Sequence, residues 1–144
     1  MPHKTYVVLD TNVFVSAMLR RGSVPDLLVR SALGGEISLV AAQGILFEYA
    51  GVLRRTKFGF PETEIDALLS RIARTATLIQ PAAMDARMQQ MTDKKDIIFY
   101  ATTIASRAAG NTTWLVTGNL RHFPKEHFII SPRAMLDILE QGGK

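Results

Sequence analysis

Several features are absent from this sequence, and each absence excludes a class of protein. None of the 144 residues is a cysteine, so disulfide bonds and thiolate metal sites are excluded. No uninterrupted apolar stretch is long enough to cross a bilayer. The apolar run at 6–9 is broken by Asp10, which argues against a secretory signal peptide. These absences predict a soluble, cytoplasmic protein without a membrane partner.

The composition is typical of a globular protein. Apolar residues make up 47% of the chain and charged residues 21%, a balance unlike that of disordered proteins. The length suits one domain of ordinary size, and no linker or repeat divides it. We therefore expect a single domain over 1–144.

The chain is basic, with a net charge of +4 and a pI of about 9.7. This charge permits a polyanionic partner but does not require one. The basic residues occur in small groups, among them Arg20-Arg21, Arg54-Arg55, Lys94-Lys95 and Arg121. On charge alone, solvated helix ends and turns are the simpler interpretation.

Segments typical of strands alternate with segments typical of helices. Short β-branched or apolar runs predict strands at 5–9, 37–40, 76–81, 113–116 and 128–130. Apolar periodicity, caps and Gly/Pro signals predict helices at 11–19, 23–34, 43–55, 61–75, 92–110 and from 131 onward. Such alternation implies βαβ units, and hence an α/β fold of three layers with helices on both faces of a parallel sheet.

Polar residues directly follow two of the predicted strands. The sequence DTN at 10–12 comes after the first strand, and TGN at 117–119 comes after the fourth. In open parallel sheets, ligands bind outside the carboxyl ends of the strands. An aspartate directly after a buried strand is costly unless it is solvated, caps a helix or holds a cation. For Asp10, the capping and ligand interpretations are about equally supported.

Two further acids fall where they could join Asp10. Glu48 interrupts a nearly uniformly apolar helical segment, and Glu is rarely buried without a partner. It either pairs with an arginine, faces water from the helix rim, or projects into a site shared with Asp10. Asp96 falls in the first turn of the helix predicted from Thr92, where the helix dipole alone favours a carboxylate. Asp96 matches the inward stripe of that helix, whereas Asp93 is better explained as a cap or a supporting residue.

Together these acids predict a cation site. Carboxylates brought close together repel one another and need a counter-charge. Their hard oxygen ligands suit Mg²⁺ or Mn²⁺, ions that polarise phosphodiesters and activate water. One position departs from this pattern, because Asn119 stands at a strand end where a carboxylate is expected. Its carboxamide still offers a carbonyl oxygen but carries no charge.

Four segments, in order, resemble the motif regions of the PIN-domain family. They read VVLDTNVFVSAML, LFEYAGVLRR, DKKDIIFYATTIA and WLVTGNLRHFP, and the resemblance extends over roughly 6–138. The closing segments are similar in particular to PIN proteins described as toxin components of prokaryotic toxin–antitoxin pairs (VapC-like). The resemblance implies strand order 3-2-1-4-5 and a ribonuclease dependent on Mg²⁺ or Mn²⁺. It also implies an RNA substrate and an antitoxin protein as partner, and leaves a homodimer open.

The resemblance assigns roles to individual residues. The catalytic and metal-binding acids are Asp10, Glu48 and Asp96, and Asn119 holds the fourth metal position. The residues that support them by resemblance are Thr11, Asn12 and Thr117, and the helix register adds Asp93 as a cap or supporting residue. If RNA is the substrate, the basic residues expected to contact it are Arg20, Arg21, Lys94, Lys95 and Arg121. Aromatic stacking suits single-stranded RNA, with Phe14, Tyr49, Tyr100 and Phe123 as candidates.

Two other functions compete with a ribonuclease. The first is a binding module that keeps the PIN fold and binds RNA or a partner protein with little or no turnover. Asn119 keeps this alternative open, because it lacks the charge of a carboxylate. The second is a phosphatase of the haloacid-dehalogenase kind, which also begins with an aspartate after the first strand. That family needs a second aspartate two residues later, where this chain has Asn12. We therefore consider the phosphatase much less well supported than the ribonuclease or the binding module.

Overall fold

A computed structural model describes residues 4–142 of the chain. Its centre is a five-stranded sheet in the order β3-β2-β1-β4-β5, in which every neighbouring pair is parallel. The strands are β1 (Thr5–Leu9), β2 (Ser38–Ala41), β3 (Thr77–Leu78), β4 (Thr112–Val116) and β5 (Ile129–Ile130). The expected α/β architecture and strand order 3-2-1-4-5 are confirmed.

Seven α-helices surround the sheet in the described part of the chain. They are α1 (Thr11–Leu19), α2 (Val24–Leu33), α3 (Gln43–Leu53), α4 (Glu62–Thr75), α5 (Ala86–Gln90), α6 (Ile97–Ala108) and α7 (Pro132–Gly142). Two short 3₁₀ turns, Lys94–Asp96 and Leu120–His122, precede α6 and follow β4. No helix within 4–142 is both long enough and apolar enough to cross a membrane.

The central strand fixes the position of the two polar turns. Val7, Val8 and Leu9 of β1 are fully buried, as expected of a strand covered on both faces. Leu9 pairs with Val116 of β4 in the parallel register, and the backbone N–H of Asp10 donates to the carbonyl of Val116 at 3.0 Å. The first residues after β1 and β4 therefore lie side by side.

Local capping explains why α2 and α7 begin where the sequence predicts. The hydroxyl of Ser23 accepts a hydrogen bond from the backbone N–H of Asp26, and Pro25 occupies the first turn of α2. The hydroxyl of Ser131 likewise accepts from the N–H of Ala134 at 3.1 Å. These bonds satisfy amide groups that have no partner inside the helix.

Three predicted elements differ at one end or both by two residues or more from those observed, and the other predicted boundaries agree within about one residue. The strand predicted at 76–81 is only Thr77–Leu78, because this edge strand pairs with β2 through just two residues, Val40 and Ala41. The helix predicted from 92 begins instead with the 3₁₀ turn, and α6 starts at Ile97. The helix predicted to reach 55 ends at Leu53.

Candidate metal centre

Asp10 is buried at the carboxyl end of β1, with a relative exposure of 6%. It occupies the N-cap position of α1, yet its side chain makes no capping hydrogen bond. Instead Oδ2 accepts a 2.7 Å hydrogen bond from the hydroxyl of Thr117. Of the two interpretations that the sequence leaves open, side-chain capping is therefore not observed, and the carboxylate is turned toward the end of β4.

Neighbouring groups hold this strand-end pair in place. The hydroxyl of Thr117 accepts a 2.9 Å hydrogen bond from the backbone N–H of Asn119 while it donates to Asp10. The phenol of Tyr49, fully buried on α3, donates to the carbonyl of Leu9 at 2.5 Å. Since Tyr49 directly follows Glu48, this bond also anchors the helix that carries the second predicted acid.

The electrostatics around Asp10 disfavour its ionised form. Burial raises the pKa of Asp10, and the charge of Glu48 raises it further. The hydrogen bond from Thr117, the backbone hydrogen bond from Thr11 and the charge of His122 oppose this rise. The pKa of Tyr49 is raised as well, first by the burial of its phenol and then by the charge of Asp10. A positive charge placed beside Asp10 would relieve each of these unfavourable interactions.

Asp96 lies at the start of α6 and is coupled to Asp10. Burial, followed by the charges of Asp10 and Asp93, raises the pKa of Asp96 to about 6. Its Oδ2 lies 3.1 Å from Nδ1 of His122, which comes from the 3₁₀ turn after β4. The start of α6 and the end of β4 thus meet, as strand-end geometry requires of a site between them.

One group of three metal-ligand side chains is tightly assembled within residues 4–142. Asp93, Asp96 and His122 each offer a ligand atom, and the three atoms lie within 4.8 Å of one another. We call these residues the acid–histidine group. Asp93 also caps the 3₁₀ turn, since Oδ1 accepts from the backbone N–H of Lys95 at 2.9 Å. Asp10 lies outside this group, but its charge raises the pKa of Asp96. Glu48 also lies outside it, and its charge raises the pKa of Asp10.

His122 is the residue that the sequence alone does not single out. It stands 26 positions after Asp96, and only the strand order brings the two together. The available signal was its place in the turn LVTGNLRHFP, three residues after Asn119. A histidine so close to a strand-end polar residue is a ligand candidate on chemical grounds.

Glu48 projects from α3, which approaches the start of α6. A side chain at Gly44, one turn before Glu48, would collide with Ile98 in the first turn of α6. Glycine at this position therefore lets the two helices come close. Glu48 is half-buried, and no residue within 4–142 forms a hydrogen bond or ion pair with its carboxylate. It is thus neither paired with an arginine nor fully solvated.

The three predicted supporting residues beside the strand ends differ in their surroundings. Thr117 orients Asp10, as described above. The hydroxyl of Thr11 is buried and has no hydrogen-bond partner among the described residues, although buried hydroxyls normally have one. Asn12 is exposed and forms no hydrogen bond with Asp10 within 4–142. The groups that orient the Asp10 carboxylate are therefore the hydroxyl of Thr117 and the backbone N–H of Thr11, not Asn12.

Asn119 borders an open cleft. Its side chain is exposed and makes no capping bond to the 3₁₀ turn that follows. Its backbone closes that turn, because its carbonyl accepts from the N–H of His122 at 3.0 Å. The cleft has a volume of about 630 Å³ and is lined by residues 118–122. The carboxamide is thus accessible to a ligand.

All five basic residues expected to contact RNA are exposed, but they lie in two places. Lys94 and Lys95 form the 3₁₀ turn that leads into Asp96, and Arg121 directly precedes His122. Arg20 and Arg21 follow the far end of α1, a helix about 13 Å long by its nine residues. Of the five, only Lys94, Lys95 and Arg121 lie next to residues of the acid–histidine group.

The four aromatic residues considered for base stacking are all buried. They are Phe14, Tyr49, Tyr100 and Phe123. Phe47, by contrast, is 70% exposed and directly precedes Glu48 on α3. Buried rings cannot stack on a nucleobase without unfolding, so Phe47, as an exposed ring on the helix that carries Glu48, is a better candidate for stacking.

These residues fit a divalent cation. The pKa values of the Asp10 and Asp96 carboxyls are both raised, chiefly by burial, and the charge of Asp10 adds to the rise at Asp96. A half-buried glutamate has no described partner, and a buried threonine hydroxyl lacks one among the described residues. Oxygen-rich, mutually repelling groups of this kind suit a hard divalent ion. The arrangement supplies ligands at the sheet edge where parallel α/β proteins bind theirs.

Known proteins share this fold. Residues 6–121 match the family model described as a PIN domain. The crystal structure of PAE2754 from Pyrobaculum aerophilum is similar over 96% of this chain and 90% of that chain, with a TM-score of 0.60 and 14% sequence identity. At this identity the similarity concerns the fold alone. No curated protein matches the chain.

Proposed function

Because the chain belongs to the PIN-domain family, whose members are typically nucleases, we propose that it is an endoribonuclease dependent on Mg²⁺ or Mn²⁺. The proposed reaction is hydrolysis of RNA phosphodiester bonds. The observation that carries the proposal is the electrostatic coupling of a buried acid and a half-buried acid from different elements. Asp10 follows β1, Asp96 opens α6, and the charge of Asp10 contributes to raising the pKa of Asp96.

The proposed ligands of the cation are Asp10, Glu48 and Asp96, with the amide oxygen of Asn119 in the fourth position. When bound, the cation would polarise the phosphodiester and lower the pKa of water. Thr117 fixes the rotamer of Asp10 through its 2.7 Å hydrogen bond. Tyr49 fixes the end of β1 through the carbonyl of Leu9. These neutral donors position the acids without adding charge to the site.

The RNA strand is proposed to approach along the surface beside Asp96. Lys94, Lys95 and Arg121 are exposed there, and such residues contribute most of the affinity for a phosphate backbone.

Phe47 would stack on a base next to the reacting phosphate. Gly51, one turn after Phe47, has open space where a side chain would stand. A glycine inside a helix reduces the stability of the protein by about 0.5–1 kcal/mol relative to alanine. At position 51 the glycine leaves the surface next to the Phe47 ring without a side chain.

Incubation of the purified protein with a pool of RNAs tests the activity. We expect internal cleavage with Mg²⁺ or Mn²⁺ and none with EDTA. Cleavage of equal rate in EDTA would rule out the proposed metal dependence. Release of single nucleotides only would rule out endonucleolytic attack.

We further propose that the enzyme is the toxin of a type II toxin–antitoxin pair. The support is the resemblance of its motif segments to toxin components of that kind. The antitoxin would inhibit by covering the acidic site, with an arginine in the place of the cation, because arginine pairs bidentately with carboxylates. Copurification with the product of an adjacent small reading frame tests this. A complex that cleaves RNA as fast as the free protein would contradict it.

A second function is favoured by one specific observation, the carboxamide of Asn119 where a fourth carboxylate would strengthen cation binding. In this alternative the chain binds RNA or a protein partner with little or no turnover. RNA binding without cleavage at any concentration of Mg²⁺ or Mn²⁺ would establish it.

A further inference from the structure

The turn after β4 carries two side chains that bear on the cation site. Asn119 begins the turn and His122 ends it, and a 3.0 Å backbone hydrogen bond joins the two residues. The side chain of Asn119 makes no capping bond. The ring of His122, in contrast, lies against Asp96, with half of its side chain exposed to solvent. The turn therefore presents an imidazole to the site as well as a carboxamide.

The spacing of the ring and the carboxylate matches that of two ligands of one ion. Metal–ligand distances of about 2.1 Å place adjacent ligand atoms of an octahedral ion about 3.0 Å apart. Nδ1 of His122 and Oδ2 of Asp96 are 3.1 Å apart. A ligand oxygen of Asp93 lies within 4.8 Å of both. The three atoms are therefore close enough to hold one cation.

We propose that His122 is a nitrogen ligand of the cation site and takes over the role that position 119 cannot fill with a carboxylate. This inference rests on the proposed function, since it assigns a ligand to the same site. Asp10, Glu48 and Asp96 keep their proposed places as oxygen ligands, and His122 adds a nitrogen beside Asp96. Asp93 contributes from the 3₁₀ turn before α6.

A nitrogen ligand changes which ions the site prefers. Imidazole suits transition ions, whereas Mg²⁺ prefers oxygen. The site should therefore bind Mn²⁺ and Co²⁺ more tightly than an all-oxygen site of the same charge. Replacing His122 should affect the binding of these ions much more than the binding of Mg²⁺.

Pulsed electron paramagnetic resonance of the Mn²⁺-loaded protein tests the ligand directly. A histidine nitrogen bound to Mn²⁺ gives a ¹⁴N modulation, which changes when the protein is grown with ¹⁵N-labelled histidine. We expect the modulation in the wild-type protein and its loss in His122→Asn. The control is His127→Asn, since His127 is an exposed histidine beside Arg107, and it should keep the modulation.

Affinities give a second, independent measurement. We expect His122→Asn to weaken Mn²⁺ and Co²⁺ binding by about tenfold or more, and Mg²⁺ binding by less than about threefold. Adding Asn119→Asp to His122→Asn should restore affinity, with a shift of preference toward Mg²⁺. Circular dichroism of each variant verifies the fold, which an exposed side chain is not expected to disturb.

The outcomes separate this inference from the proposed function. Bound Mn²⁺ without a histidine signal, together with RNA cleavage, would overturn the role of His122 and leave the nuclease intact. An unchanged signal in His122→Asn would have the same consequence. If the wild-type protein binds none of the three ions and cleaves no RNA, both proposals are overturned.

Discussion

The hydroxyl of Thr117 donates a 2.7 Å hydrogen bond to Oδ2 of Asp10, a residue 107 positions earlier in the chain. The parallel register of β1 and β4 creates this contact, because Leu9 pairs with Val116. The bond opposes the rise in the pKa of Asp10 that burial causes. It thus favours the ionised form that a cation requires, and it holds the carboxylate in one orientation.

We predict that Thr117→Val impairs the site while Thr117→Ser does not. Valine has nearly the shape of threonine but leaves the buried carboxylate without its donor, at a cost of about 1–3 kcal/mol in stability. Loss of an orienting partner should reduce metal affinity or activity by about 10–100-fold. Metal titration and RNA cleavage check both effects. The control is Thr103→Val, which removes a buried hydroxyl that bonds only the carbonyl of Phe99. If Thr117→Val retains wild-type activity, the proposed role of this bond is wrong.

We predict that Asp96→Asn stabilises the metal-free protein at neutral pH. The pKa of Asp96 is raised from 3.8 to about 6, so the folded state holds the proton more tightly than the unfolded chain does. The free energy of unfolding therefore falls as the pH rises from 3.8 to about 6. Above that range the ionised carboxylate destabilises the folded protein. The variant should gain about 1–2 kcal/mol near pH 7 after allowance for solvent screening, and almost nothing below about pH 4.

Urea denaturation in EDTA at both pH values measures this difference. The control variant is Glu140→Gln, which removes an exposed carboxylate from α7 and should leave the stability nearly unchanged at both. A destabilised Asp96→Asn at neutral pH would mean that the hydrogen bond to His122 outweighs the repulsion.

The sequence predicts the frame of this site but not all of its members. β-branched runs followed by polar residues are local signals, so both strand-end turns could be located. The short helix α5 has five residues, too few for a periodic apolar pattern. The pairing of His122 with Asp96 depends on strand order and on the exact start of α6, which no local pattern reveals. The apolar periodicity of α3 does place Tyr49 on the inner face of the helix, but only the folded structure shows that Tyr49 is fully buried and that Phe47 is exposed.

We predict that Phe47→Ala weakens RNA binding without changing cation affinity. Loss of one stacked base costs about 1–3 kcal/mol, a reduction of roughly 5–150-fold. Phe47→Trp should retain or improve the affinity. Leu19→Ala, at an exposed apolar residue at the end of α1, serves as the control. Equal RNA affinities for the alanine variant and the wild type would exclude Phe47 as a stacking residue.

We predict that the two basic regions contribute unequally to RNA binding. Removing Lys94, Lys95 and Arg121 together should reduce the slope of log K against log salt by about two, since each phosphate contact with a single strand contributes about 0.7. Removing Arg20 and Arg21 should change the slope less, because they lie beyond the far end of α1. Titrations at several salt concentrations with an Asp10→Asn background, which prevents cleavage, measure both. Equal losses from the two regions would indicate a longer RNA path over α1.

The most direct test compares the wild-type protein with Asp10→Asn on one RNA at a fixed concentration of Mn²⁺. Asp137→Asn, an exposed acid on α7, is the matched control. We expect internal cleavage by the wild type and by the control, and none by Asp10→Asn, although this variant should remain folded and still bind the RNA. Cleavage by Asp10→Asn at the wild-type rate would contradict the assignment of a metal-dependent nuclease site to the end of β1.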